Sequence, residues 1–74
     1  MKKRRIPFHN KYGYIKLGTP VRFLVENQSM WYGDNQGILA YDEDEKEYVI
    51  DTKNSGRLAT SGYLSVYWNT IQPL

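Results

Sequence analysis

The chain is 74 residues long, 15% aromatic and free of cysteine, so it forms one small domain with no disulfide and no zinc–thiolate centre to staple it. Its net charge of +2 joins two opposed parts: residues 1–22 hold seven Lys or Arg and no acid, a sum of +7, whereas residues 23–74 hold eight acids against three Lys or Arg, a sum of −5. That division bears on partners and says nothing about fold.

The first ten residues show no apolar periodicity and are dominated by Lys2, Lys3, Arg4 and Arg5. They read as a basic N-terminal arm, flexible or partly docked, ahead of a folded domain over residues 11–74. The Lys/Arg run has the look of a secretory n-region, but Ile6-Pro7-Phe8-His9-Asn10 breaks any apolar run at once. No stretch approaches the roughly 20 apolar residues of a membrane span. The expectation is a cytoplasmic protein without a membrane partner.

From Lys11 to Leu17 the pattern changes phase, as an irregular edge strand does, and Gly18-Thr19-Pro20 is a turn. Val21, Phe23 and Val25 alternate on one face of a strand, with Leu24 on the other. Residues 26–36 are rich in turn formers around Met30-Trp31-Tyr32. Gly37–Tyr41 and Glu47–Asp51 flank the acidic run Asp42–Lys46. They predict a hairpin with a polar tip and with Tyr48 and Ile50 pointing inward. After a turn at residues 53–56, Arg57–Thr60 predicts a short strand and Tyr63–Tyr67 another. Trp68-Asn69-Thr70 predicts a single 3₁₀ turn and residues 71–74 a closing strand. Five or six short, evenly spaced strands in this length predict an all-β, strongly twisted, partly open small barrel.

Two segments then carry a resemblance. Gly18-Thr19-Pro20-Val21-Arg22-Phe23, a loop, Gly33 and Gly37-Ile38 are similar to the opening of the KOW motif, where a Gly precedes a V-x-V strand and a Gly–aliphatic pair starts the next. Val66-Tyr67-Trp68-Asn69-Thr70-Ile71-Gln72-Pro73-Leu74 resembles the strand, 3₁₀ turn and short I-x-P-L strand that close many SH3-like barrels. Together they span residues 18–74 and imply an SH3-like fold of the KOW kind, associated with RNA polymerase, ribosomes or nucleic acid. The A-L-Y-D-Y-like segment and paired tryptophans of peptide-binding SH3 domains are missing from the sequence, which argues against a polyproline groove. Size and a basic head also resemble small accessory proteins of bacteriophages.

The candidate sites follow from charge and aromatics. Lys2, Lys3, Arg4, Arg5, Lys11, Lys16 and Arg22 suit an acidic protein surface or a phosphate backbone, with Tyr12 and Tyr14 as stacking faces for bases. Trp31, Tyr32, Tyr63, Tyr67 and Trp68 form a second candidate set, an aromatic face anchoring a partner or filling the barrel's own ends. The acidic run lacks the spaced pattern of a calcium loop and reads as a solvated hairpin tip. His9 has neither cysteine nor acid near it, and no nucleophile, phosphate-loop or metalloprotease motif is present in the sequence. The expectation is a non-enzymatic module, without metal or cofactor, that docks on a host or partner protein complex, with transcription machinery the first candidate. A nucleic-acid binder and a self-assembling subunit are the alternatives.

Overall fold

The structure is a computed structural model that describes residues 7–60 and 65–74. Among these the fold is all-β, with seven short strands in two antiparallel sheets and no α-helix. A two-stranded ribbon pairs β1 (His9–Asn10) with β2 (Gly13–Tyr14). The larger sheet comprises β3 (Pro20–Arg22), β4 (Gln36–Asp42), β5 (Glu47–Asp51), β6 (Arg57–Ala59) and β7 (Gln72–Pro73), in the order β6-β5-β4-β3-β7. The sheets do not close into a barrel.

The β4–β5 hairpin is the longest pairing, from Ile38 opposite Asp51 to Asp42 opposite Glu47. Its four-residue tip is built by local chemistry. One oxygen of Asp42 accepts the N–H groups of Asp44 and Glu45 at 2.9 and 3.1 Å, and Lys46 takes the left-handed conformation that turns the chain back. At the opposite end, Thr52 N–H and hydroxyl both donate to the Gly56 carbonyl, at 2.9 and 2.7 Å. Gly56 has φ +72° there, a backbone state a side chain would strain.

Alternation then separates two faces. Val21, Leu39, Ile50 and Tyr48 turn inward and join Phe8, Ile15, Phe23, Val25, Val66 and Ile71 in one core, with Trp31, Tyr41, Leu58 and Trp68 packed against it. Tyr48 and Ile50 are buried as their alternation predicts, but Val49, opposite Ala40 and Ala59 on the other face, is buried too. Residues 23–25 leave the ladder early, so β3 ends at Arg22 although Phe23 and Val25 stay inward. Val25 instead bridges Val66, and Val66 N–H donates to Ala59 O at 2.9 Å. One residue thus ties the edge strand β6 to the chain continuing from β3. The 3₁₀ turn Trp68–Thr70 delivers β7 against β3.

The N-terminal segment departs from the expectation of an arm through residue 10. Phe8 is 2% exposed, its ring 4.3 Å from Trp68 and 5.4 Å from Tyr48 between centroids. Asn10, also buried, donates from one amide nitrogen to Trp68 O and Ile71 O, both at 2.8 Å. The folded body therefore begins no later than Phe8. A buried aromatic and a doubly bonded amide outweigh the local lack of periodicity.

Candidate binding site

A hollow of about 410 Å³ opens beside β3, within the size range of small-ligand sites. The turn between β1 and β2 supplies Lys11 and Tyr12. β3 and its continuation supply Arg22, Phe23 and Leu24, and the chain entering β4 supplies Asn35 and Gln36. The Trp68–Thr70 turn and β7 add Asn69, Thr70 and Gln72. Two cations of the predicted basic set, Lys11 and Arg22, thus meet in one concavity whose lining holds no carboxylate.

The floor is fixed from several sides. Phe23 N–H donates to Asn35 O at 3.0 Å, and the Asn35 amide returns a bond to Phe23 O at 3.0 Å. Leu24 N–H donates to the Thr70 hydroxyl at 3.0 Å, and Leu24 O accepts Tyr67 N–H at 2.9 Å. Leu24 nevertheless leaves half its surface to solvent, as does Tyr12. The Lys11 ammonium stands 5.4 Å from the Tyr12 ring centroid, and Arg22 makes one long contact, 3.4 Å, to the Gln72 side-chain oxygen. Among the described residues neither cation pairs with a carboxylate.

Arg57 on β6 is a useful contrast. Its guanidinium donates to Asp51 at 2.8 Å and lies 3.5 Å from Asp42. The bond and charge of Asp51, followed by the charge of Asp42, raise its already high pKa. Asp42 is held below the usual carboxylate range chiefly by the Glu45 N–H, with Asp44 N–H and Arg57 adding to it. The acidic run is thus partly internal architecture.

The remaining candidates do not gather here. Lys2, Lys3, Arg4, Arg5 and Tyr63 lie outside the described residues. Lys16 is exposed between β2 and β3, away from the hollow. Among the described residues Trp31 and Trp68 of the aromatic set stand apart from each other. Trp31 lies over Gly33 beside Ser55, past the end of β5, with its indole N–H on Asp34 O at 2.9 Å. Trp68 packs on Phe8 and on Tyr48 near the start of β5, with its N–H on His9 O at 2.8 Å. Both indoles are half-buried structural rings, because each satisfies its one donor internally while its faces pack on the core. Tyr32 is 96% exposed and Tyr67 about half exposed.

The sequence reading missed Leu24, Gln36, Asn69 and Gln72 as site residues. Only Leu24 carried a signal, an apolar residue out of phase with Val21, Phe23 and Val25. The amides come from segments up to 50 positions from Arg22, joined to it by the β3–β4 and β3–β7 pairings.

Among the described residues no group of three or more His, Asp or Glu is placed to hold a metal ion, and no helix is long and apolar enough to cross a membrane. Two other hollows, of about 410 and 430 Å³, contain none of the basic or aromatic candidates. Comparison with protein-family models, with curated proteins and with solved structures gives no match.

Proposed function

We propose that this chain is a non-enzymatic binding module that docks on a larger protein complex through the Lys11–Arg22 hollow. The observation that carries this reading is the combination of two cations that lack carboxylate partners among the described residues with the half-exposed Tyr12 and Leu24. Such a surface suits a partner presenting negative charge around an apolar anchor. The fold proposed for it is a small SH3-like barrel of the KOW kind, partly open. The strand order β6-β5-β4-β3-β7, the 3₁₀ turn just before the closing strand and the Val66 tie between β6 and the β3 continuation support that assignment. It makes transcription machinery the first complex to test, and a small cytoplasmic regulatory protein of the phage type the working description. Surface plasmon resonance of the intact chain over immobilised RNA polymerase, with Arg22→Glu as control, tests the reading: binding that weakens with salt and with the substitution supports it.

A nucleic-acid reading stands second, favoured by Lys11, Tyr12 and the largely exposed Tyr14 on one ribbon. It predicts a mobility shift that fades steeply with ionic strength. No shift at low salt with single- or double-stranded nucleic acid removes it.

A further inference from the structure

We infer that the occupant of the hollow is an extended acidic segment of a partner protein, its carboxylates on Lys11 and Arg22 and an apolar side chain against Tyr12 and Leu24. The inference rests on the docking role proposed above and names the chemistry of what docks.

Three features lead to it. The first is the state of the cations. Arg57 is paired with Asp51 and Asp42, whereas among the described residues Lys11 has the Tyr12 ring and Arg22 the distant Gln72 side-chain oxygen. A guanidinium with open donors in a concave wall is a fork for a carboxylate.

The second is the floor. The backbone groups of Phe23 and Leu24 are already bonded to Asn35, Thr70 and Tyr67, and β3 is flanked on both sides by β4 and β7. β3 itself therefore offers no free edge to a partner strand, and recognition over β3 falls to side chains. Leu24 is held by these bonds while half exposed. It is an apolar contact whose backbone is already ordered in the free protein.

The third is the set of amides. Gln36, Asn69 and Gln72 each carry both a donor and an acceptor, which matches the alternating C=O and N–H of an extended peptide. A nucleic-acid strand asks for something else: a row of cations following the phosphates and a series of rings under successive bases. The hollow offers two cations, one tyrosine and an apolar floor.

The test is a titration of the ¹⁵N-labelled intact chain, followed by amide chemical shifts at low salt. Three probes are compared: a short synthetic peptide alternating glutamate and leucine, the same peptide with glutamine for glutamate, and a thymidine oligonucleotide of similar length. The expected result is saturable movement of the Arg22, Leu24, Gln36 and Gln72 amides with the acidic peptide. That affinity should fall about tenfold or more in the Lys11→Gln/Arg22→Gln double variant and should fall again in Leu24→Ser. All three side chains are exposed, so well-dispersed spectra of the variants confirm that the fold is kept. The inference is overturned if the acidic peptide causes no saturable shift, if the glutamine peptide acts equally, or if the oligonucleotide alone moves these amides. Should the acidic peptide fail while Arg22-dependent binding to RNA polymerase persists, the docking role stands and only this occupant falls. If both fail, both fall.

Discussion

Replacing Phe8 by alanine removes a ring that is 2% exposed and wedged between Trp68 and Tyr48 at 4.3 and 5.4 Å. Truncating a buried phenylalanine costs about 3–5 kcal/mol, through lost burial and the cavity left behind. A chain of 74 residues is expected to have about 4–11 kcal/mol of stability in all, at roughly 0.05–0.15 kcal/mol per residue. Phe8→Ala therefore removes much of it. At roughly 4–8 °C per kcal/mol for a domain of this size, the melting temperature falls by at least about 12 °C. Phe8→Leu retains most of the volume but loses the ring contacts, and should cost about 1–3 kcal/mol while leaving a folded protein. Urea unfolding followed by tryptophan fluorescence measures both, with Trp68 as the adjoining reporter. A loss below about 1 kcal/mol in Phe8→Ala would refute the burial argument and return residue 8 to a solvated arm.

Further outcomes follow from the same geometry. Asn10→Ala strips partners from the carbonyls of Trp68 and Ile71 and should destabilise by about 2–6 kcal/mol in urea unfolding, at about 1–3 kcal/mol per buried group left unpaired. A Cβ at Gly37 would stand 2.5 Å from an Ile50 methyl and 2.6 Å from Asp51 O. Gly37→Ala should therefore cost about 1–3 kcal/mol by calorimetry, and an unchanged transition would contradict the β4–β5 packing. The Asp34 carboxyl is held below the usual carboxylate range, chiefly because Asn54 N–H donates to it, and Asp42 is lowered as well. Depressed folded-state values contribute stability that is present above the ordinary carboxylate range and lost as the pH falls through them. Acid should thus weaken the fold below that range, and Asp34→Asn should flatten the dependence; an equal acid slope in the variant would show that Asp34 contributes none of it.

Much of the chain's organisation is legible from local pattern. The β4–β5 hairpin, the Trp68–Thr70 turn and the inward set Val21, Phe23, Val25, Tyr48 and Ile50 follow from alternation and turn chemistry alone, because their determinants lie within a few residues. The N-terminus was not legible in that way. Phe8 and Asn10 are fixed by Trp68 and Ile71, about sixty positions away, and a lone phenylalanine after a basic run has no periodic signal. The positions of the two tryptophans were not legible for a related reason. An indole's exposure depends on whether its single N–H finds a carbonyl, and Trp31 and Trp68 find theirs in Asp34 and His9. The basic candidates were legible by type but not by grouping. Charge asymmetry singled out Lys11 and Arg22 with the five other cations of residues 1–22, and the pairing of β3 with β4 and β7 joins Arg22 to Gln36 and Gln72.

Binding of the intact chain to immobilised RNA polymerase, compared with its Lys11→Glu/Arg22→Glu form, tests the central claim most directly. The account predicts salt-sensitive binding by the parent chain and a loss of about a hundredfold or more on reversing both exposed charges, with the unfolding transition of the double variant unchanged within about 0.5 kcal/mol. No binding by the parent chain, or equal binding by the two forms, would contradict it.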